Sequence, residues 1–356
     1  MSSITASPPR PSPFAPLQKF AYMMFVAELT PAQKRIGALR RFAGALTVFN
    51  ILGHTVLGFE QAYWHPIVAL ITAYSMELGL ETLDAKLNHR PLAYLANGKT
   101  GFIDFLLPSH ITALATAMLL YSNETFWPVA LAVAMGVGSK YMFRLKIGPG
   151  KRHFMNPSNF GLCLTFILFP WIGTSPPYQF SENLTHMWSW LIPPIILLTG
   201  GFLNFRMTGR IPLTMAWIVG FALQALIRGL ITGAQLPAAF LPMSGLVFVL
   251  YTFYMVTDPA TSPMNWKTQI LFGLSVAGVY STLVAFHFVY GFFFALFITC
   301  FFRGAGIYSW QLYNRWFRQP AIDDRRVVRD GHVAPVPEQS LVLHKVEEKS
   351  EVVAKS

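Results

Sequence analysis

Charged residues are scarce in this sequence, and their scarcity argues against an ordinary soluble domain. Only 12% of the 356 residues are Asp, Glu, Lys or Arg, whereas a typical globular domain contains about 25%. Hydrophobic residues make up 53% of the chain, and 31 of them are Phe. This balance is typical of a polytopic membrane protein.

Cysteine and the common catalytic motifs are also missing or rare. Cys163 and Cys300 are the only cysteines, and neither belongs to a CxxC pair. A disulfide framework and a cysteine-based zinc site are therefore disfavoured. There is no Walker loop, no Rossmann fingerprint and no Ser/His/Asp arrangement, which argues against an ATPase and a membrane hydrolase. The chain also lacks a soluble domain large enough to bind NADH.

Long apolar runs fill most of the chain instead. Runs of roughly 18 to 24 residues are long enough to cross a bilayer, and they predict an all-α polytopic bundle with ten spans. The predicted spans are 43–60, 64–84, 102–121, 125–143, 157–174, 186–204, 211–232, 237–257, 268–283 and 284–302. Almost no turn separates the last two, so one long re-entrant element also fits there. The even count is compatible with a five-plus-five inverted repeat.

The basic residues indicate membrane topology rather than nucleic-acid binding. The formal charge is +11, but the basic residues fall between apolar runs and form no patch on a soluble domain. If every second loop faces the cytoplasm, every Lys and Arg except Arg228 lies on that side. The positive-inside rule then places both termini in the cytoplasm. We expect the chain to lie in the inner (plasma) membrane, surrounded by the lipid bilayer.

Composition divides the chain into three parts. Residues 1–42 predict a Pro- and Ser-rich disordered segment with a short interfacial helix at FAYMMFVAEL, which is too short to span. Residues 43–305 form the predicted transmembrane domain. Residues 306–356 predict a solvated cytoplasmic tail, because basic and acidic residues alternate there.

Two polar, proline-containing stretches stand at predicted span boundaries on the same side of the membrane. In HFMNPSNFG, Asn156 is placed to cap a helix and Pro157 suits its first turn. In YMVTDPATSP, Asp258 is a carboxylate at the membrane boundary, and Pro259 biases it away from helical geometry. Paired breaks in two halves of a membrane protein favour a ligand pocket between them over two ordinary caps.

These two stretches resemble motifs of a known family, the NqrB/RnfD family. Its members are integral membrane components of the sodium-translocating NADH:quinone reductase and of the Rnf electron-transport complex. HFMNPSNFG resembles the FNPA-type motif of this family, and YMVTDPATSP resembles its TDP motif. The glycine-rich LLTGGFLNFRMTGR between them and the ten predicted spans agree with the family. The resemblance covers roughly residues 43–305.

The resemblance implies a function in electron transport. A member of this family is a redox subunit that passes electrons between membrane or flavoprotein partner subunits, with coupling to cation transport. It also implies a flavin, riboflavin or FMN, bound without a covalent link. An asparagine amide offers both a donor and an acceptor to the polar edge of an isoalloxazine. The residues implied at this site are Asn156, Pro157, Asn159, Thr257, Asp258 and Pro259.

One family feature is absent from this sequence. Family members usually carry a second FMN esterified to the threonine of an SGAT-like motif, but the corresponding loop, GTSPPYQFSENLTHMW, contains no such motif. We therefore assign no covalent FMN. In this respect the chain more closely resembles shorter RnfD-like proteins encoded with enediyne antibiotic pathways, so a membrane component of such a biosynthetic system is an alternative function.

A second constellation, of carboxylates, does not depend on the resemblance. SMELGLETLDAKL places Glu77, Glu81 and Asp84 on one helical face. Asp104 begins the next span on the same side, and Lys140 ends the one after. Glu77, Glu81 and Asp104 are therefore candidates for a cation or proton path, and a channel or carrier for an ion or small solute is the alternative function on the same scaffold.

A purely structural explanation also exists for two of these carboxylates. Glu81 and Asp84 would lie in the headgroup zone and pair with Lys86 or Lys140. Glu77 lies about two turns deeper, where a carboxylate is costly unless it is paired or faces water.

Overall fold

The computed structural model describes residues 30–96, 98–147, 150–176, 183–184, 187–202, 208–233 and 235–317. The predicted interfacial helix at 20–29 and the tail after Pro320 lie outside the described residues. The chain divides into two compact units, Met1–Ile307 and Tyr308–Ser356. Of the second unit, the structure describes residues 308–317, which are helical.

The described part of the chain is mostly helical. Its α-helices are α1 (Pro31–Leu52), α2 (Trp64–Leu87), α3 (Gly98–Leu119), α4 (Trp127–Met142), α5 (Pro157–Leu168), α6 (Met187–Phe202), α7 (Ile211–Thr232), α8 (Leu236–Phe240), α9 (Leu246–Leu250), α10 (Trp266–Ala285) and α11 (Gly291–Phe317). Turns of π-helix follow α1 and α9, at Gly53–Leu57 and Tyr251–Met255, and 3₁₀ turns lie at Ala93–Leu95 and Leu241–Ser244.

Two small antiparallel sheets join the helices, which the all-α prediction did not include. Strand β1 (Leu120–Tyr121) pairs with β4 (Gly173–Thr174). Strand β2 (Arg144–Ile147) pairs with β3 (Gly150–His153) as a hairpin, with Arg144 opposite His153. The hairpin connects α4 to α5, so it carries a basic stretch of the sequence across one end of these two helices.

Among the described residues, four helices are long and apolar enough to cross a membrane, namely α3, α7, α10 and α11. Leu236–Met243 and Val247–Met255 together form a fifth candidate that bends by 56°. Helix α5 is apolar, but it has only 12 residues. The helical, membrane-type character of the prediction is thus confirmed, whereas the count of ten spans and the side of the termini stay predictions.

Several predicted span boundaries differ from the structure; for example, α5 ends at Leu168 rather than at 174, and α11 begins at Gly291 rather than at 284. Helix α1 begins at Pro31 rather than at 43, because Thr30 and Gln33 form a capping box that stabilises an earlier start. The last two predicted spans are separate helices. The chain turns between α10 and α11, where His287 and Tyr290 both have positive φ angles, of 58° and 60°.

Glycines allow the helices to approach at backbone distance. A Cβ at Gly161 of α5 would overlap the carbonyl oxygen of Ala132 in α4, and one at Gly136 of α4 would lie 2.6 Å from the carbonyl oxygen of Pro157. Small residues at such crossings permit close helix packing in membrane proteins. This contact fixes the start of α5, with its Asn–Pro sequence, against α4.

Candidate functional site

The two proline-containing turns meet in the structure, although 102 residues separate them in the chain. The side-chain nitrogen of Asn156 lies 3.5 Å from Oδ2 of Asp258 and 3.3 Å from the carbonyl oxygen of Met255. Asn156 is buried. The structure therefore brings together the Asn–Pro and Thr–Asp–Pro sequences.

Asn156 uses its whole hydrogen-bonding capacity within the protein. Its amide nitrogen donates to Met255 and Asp258. Its oxygen accepts from the backbone N–H of Asn159, at 3.1 Å, and from the hydroxyl of Ser158, at 3.0 Å. Because an asparagine side chain has two donors and an oxygen with two lone pairs, this amide caps α5 and ties it to the second turn.

Asp258 is also occupied by neighbouring groups. Its Oδ1 accepts from the backbone N–H of Ala260, at 3.1 Å, and its Oδ2 accepts from the hydroxyl of Thr261, at 3.0 Å. The hydroxyl of Ser262 donates to its carbonyl oxygen, at 2.6 Å. These bonds stabilise the turn from Asp258 to Ser262, which follows the π-helical segment.

The flanking residues of the second turn have structural partners as well. The hydroxyl of Thr257 donates to the carbonyl oxygen of Phe253, at 2.7 Å. The guanidinium of Arg210, at the start of α7, donates to the carbonyl oxygen of Pro259, at 3.3 Å. Helix α7 is therefore connected to this turn.

Asn159 is the one predicted flavin residue with an unused polar side-chain atom among the described residues. Its amide nitrogen donates to the carbonyl oxygen of Phe293, at 3.0 Å, but its Oδ1 is buried without a hydrogen-bond partner in the described part of the chain. The residue is only 1% exposed.

A planar flavin does not fit this arrangement. The amide of Asn156 has no free donor or acceptor, the carboxylate of Asp258 is occupied, and the unpaired oxygen of Asn159 is enclosed. A flavin at this junction would have to separate the two turns first. The six predicted residues are thus close together, while their role as a flavin site stays a prediction.

A buried ion pair forms the second candidate site. The Nζ atom of Lys140 in α4 lies 2.5 Å from Oε2 of Glu77 in α2, and each residue is 6% exposed. The hydroxyl of Ser109 in α3 accepts from Lys140, at 2.8 Å, and donates to Glu77, at 2.6 Å. The hydroxyl of Tyr141 donates to Oε1 of Glu77, at 3.2 Å. We call these four residues the Glu77 cluster.

The sequence of α2 explains why Glu77 faces the inside of the bundle. The buried residues of this helix recur every four positions and are His65, Ala69, Ala73, Glu77, Glu81 and Ala85. Residues at this spacing lie on one face, and the alanines leave room for α3 and α4, which pack there. Glu77 is therefore held among helices at a position that offers it Ser109 and Lys140.

A cavity of about 210 Å³ adjoins the Glu77 cluster. Its lining consists of Glu77, Pro108, Lys140, Tyr141, Arg144, Lys151 and His153. The guanidinium of Arg144 stacks over the ring of Tyr141, at 4.2 Å, and donates from Nε to the carbonyl oxygen of Lys140, at 2.8 Å. The β2–β3 hairpin thus forms one wall of the cavity.

The electrostatic environment of this wall is positive. Burial, which is the largest cause, and the nearby charges of Lys140, Arg144 and Arg35 together lower the pKa of His153 on β3 to about 3. His153 is therefore a neutral imidazole at physiological pH.

The other predicted ion-pathway residues lie outside this cavity lining. Glu81 accepts from Arg90 in a two-pronged pair, with distances of 2.5 and 2.7 Å. Asp104 forms the same kind of pair with Arg40 of α1, at 2.7 and 2.9 Å. Of the three predicted residues, only Glu77 thus lines the cavity.

The predicted partners of Glu81 and Asp84 are wrong. Both bind Arg90, and Asp84 also binds Arg144, at 3.2 Å, rather than Lys86 or Lys140. After α2 the chain reverses through His89, with a φ of 49°, which directs Arg90 back along the helix.

A larger cavity, of about 400 Å³, lies between α1, α2 and α3. Its lining is mainly apolar. Its polar groups are paired with one another, because Arg40 binds Asp104 and the two ring nitrogens of His110 contact the hydroxyls of Thr47 and Tyr74, at 2.8 and 2.7 Å. Most polar groups of this cavity are therefore already paired and are not available to a ligand.

The sequence analysis missed the hydroxyl groups and the hairpin that complete the Glu77 cluster and its cavity. Lys140 follows a long apolar run, and its neighbours Ser139 and Tyr141 are polar. This was a usable signal for a buried charge, but it did not identify Ser109, which belongs to another helix.

No protein-family model and no curated protein matches this chain. Its function is therefore inferred from its residues and their geometry.

Proposed function

We propose that this chain is an integral membrane transport protein in which the Glu77 cluster is the site that takes up a proton. The observation that carries the proposal is the buried contact of 2.5 Å between Lys140 Nζ and Glu77 Oε2 beside a cavity. An ionisable residue inside a membrane bundle is by default a candidate for a transport pathway.

The energetics of buried ion pairs support a functional interpretation. Removing two charges from water costs several kcal/mol per ion, and apolar residues of similar volume often stabilise a protein equally well or better. Stability alone therefore gives little reason for a Glu–Lys pair at this depth. A site that must gain and lose a proton does require such groups.

The arrangement suggests how the proton acts. A proton that reaches the carboxylate of Glu77 neutralises it and leaves Lys140 without its counter-ion. The hydroxyls of Ser109 and Tyr141 can reorient around the protonated acid because a hydroxyl both donates and accepts. Protonation of Glu77 thereby changes the net charge of the Glu77–Lys140 pair, which lines the cavity, from zero to positive.

Proton flux into liposomes tests this proposal. The purified chain is reconstituted, and the internal pH is followed with a dye in buffers that contain either chloride or sulfate. We expect flux for the unchanged chain and its near-complete loss for Glu77→Gln, which keeps the shape of the side chain but cannot bind and release a proton. Glu124→Gln is the matched control, since Glu124 is an exposed loop residue. Equal flux for Glu77→Gln and the unchanged chain would contradict the proposal.

A second candidate function is the redox subunit implied by the family resemblance. The meeting of Asn156 and Asp258 favours it, because two motifs far apart in the chain come together. In this proposal the chain has ten spans with both termini in the cytoplasm, lies in the inner membrane, and works with partner subunits that supply and accept electrons. In this proposal the cofactor is a non-covalent riboflavin or FMN, and the two turns separate to admit it.

Flavin binding is measured directly on the purified chain. If the second function is correct, gentle extraction followed by addition of riboflavin or FMN yields a yellow protein with the absorbance of oxidised flavin. Asn156→Leu should abolish the colour, whereas Glu77→Gln should retain it. A protein that stays colourless after addition of riboflavin and after addition of FMN would contradict the redox proposal.

A further inference from the structure

The cavity beside the Glu77 cluster has an excess of basic groups. Lys140, Arg144 and Lys151 line it, whereas Glu77 is the only carboxylate among the described residues of the lining. In the described part of the chain, Lys140 is neutralised by Glu77, and Arg144 shares Asp84 with Arg90.

Two of these basic groups have donors available for a ligand. Arg144 uses Nε for a backbone carbonyl and Nη1 for Asp84, at 3.2 Å, and its Nη2 makes no hydrogen bond to a described residue. Lys151 is exposed on β3 and has no ion pair with any described residue. Guanidinium and ammonium groups are the usual partners of oxyanions in proteins.

The cavity size limits what can bind. A volume of about 210 Å³ corresponds to about seven water molecules at about 30 Å³ each. The cavity therefore has room for an inorganic oxyanion or a short carboxylate. His153, which is neutral, adds a hydrogen-bonding group to the wall without adding charge.

Protonation of Glu77 links this cavity to the proposed transport. While Glu77 is ionised, the charge of Lys140 is already satisfied, so an anion gains little from it. When Glu77 takes a proton, the ammonium of Lys140 loses its partner and becomes available at the inner end of the cavity. Proton and anion then stabilise each other in the site, because the charge of one offsets the charge of the other.

We propose that this cavity binds a small oxyanion, held by Lys140, Arg144 and Lys151, together with a proton on Glu77. The inference rests on the proposed function, in which Glu77 takes up the proton. The charged and titratable groups around Glu77, including those on its own helix, are Lys140, Tyr141, Arg144, Lys151, His153, Glu81 and Asp84.

Calorimetric titration of the full chain in detergent tests the anion site at two pH values. Sulfate is the first probe because its charge does not change between them, and acetate is the second, which separates inorganic oxyanions from carboxylates. At pH values where most Glu77 is ionised, we expect the affinity of the unchanged chain for sulfate to fall by about tenfold for each unit rise in pH. The reason is that only the fraction with protonated Glu77 binds the anion.

Glu77→Gln distinguishes this coupling from simple attraction. The glutamine mimics the protonated acid, so this variant should bind the anion at neutral pH as tightly as the unchanged chain does at low pH, with no further pH dependence. Lys151→Gln, at an exposed position, should weaken binding, and Glu124→Gln should not. Loss of anion binding in Glu77→Gln would overturn the inference, and so would the absence of binding of either probe to the unchanged chain.

Binding and flux also separate the two proposals. If Glu77→Gln loses proton flux but neither probe binds to the unchanged chain, the anion site is wrong and the proton site stands. If the anion binds and Glu77→Gln removes the pH dependence of binding while this variant keeps full proton flux, the coupled anion site stands and the proposed transport function is wrong.

Discussion

Lys140→Met is expected to destabilise the protein by about 3–5 kcal/mol, because it leaves Glu77 as an unpaired buried carboxylate. Only the hydroxyls of Ser109 and Tyr141 would then solvate the charge among the described residues. The loss of stability relative to the unchanged chain should become smaller as the pH falls, since protonation of Glu77 removes the unpaired charge. Chemical or thermal unfolding in detergent, followed at two pH values, measures both effects.

The double variant Glu77→Gln/Lys140→Met is the control for this prediction. Replacement of both partners of a buried pair is often neutral or stabilising, by about 1–4 kcal/mol. The double variant should therefore recover most of the stability but carry no proton flux. If Lys140→Met unfolded like the unchanged chain at every pH, the contact between Nζ and Oε2 would not exist in the membrane-embedded protein.

The helical character of the chain could be predicted because it depends on local patterns. Apolar runs gave the approximate positions of α3, α7 and α10, and the spacing of four between Glu77 and Glu81 placed them on one face of α2. The ends of the helices were harder to predict than their positions. The start of α1 depends on the contact between Thr30 and Gln33, which a hydrophobic pattern does not contain.

The partners of the charged residues could not be predicted, because they depend on the course of the chain between helices. Arg90 reaches Glu81 only after the turn through His89, and Lys140 reaches Glu77 only because α2 packs against α4. The sequence identified Glu77 as unusual from its depth alone. It did not show which cation, or which hydroxyl from α3, would surround it.

The two candidate sites share one structural basis. Helix α4 carries Lys140 near its end, packs tightly on α5 at Gly136 and Gly161, and is connected to α5 by the β2–β3 hairpin. A shift of α5 relative to α4 would therefore act on the Asn156 cap and on the cavity wall at the same time. Under the redox proposal, this helix pair is the route by which opening of the Asn156–Asp258 junction would change the Glu77 cluster.

Asn156→Asp is the second substitution with a large expected effect. It replaces the amide nitrogen that faces Oδ2 of Asp258, at 3.5 Å, and the carbonyl oxygen of Met255 with a carboxylate oxygen. The repulsion between a buried carboxylate at 156 and the partly buried carboxylate of Asp258 adds to the cost of each lost hydrogen bond, which is about 1–3 kcal/mol and more for charged groups. We expect a marked loss of stability in detergent unfolding, larger at neutral than at acid pH because protonation of either carboxylate relieves the repulsion.

The exchange variant Asn156→Asp/Asp258→Asn tests whether the direct contact causes this loss. The new carboxylate at 156 still accepts from Asn159 and Ser158, and an amide at 258 can donate to it. Stability should return in part, since Met255 remains without its donor and the hydroxyl of Thr261 meets an amide nitrogen in place of a carboxylate oxygen. Additive losses in the double variant would show that the two turns do not touch. In that case the junction between the Asn–Pro and Thr–Asp–Pro sequences could not serve as the flavin site of the redox proposal.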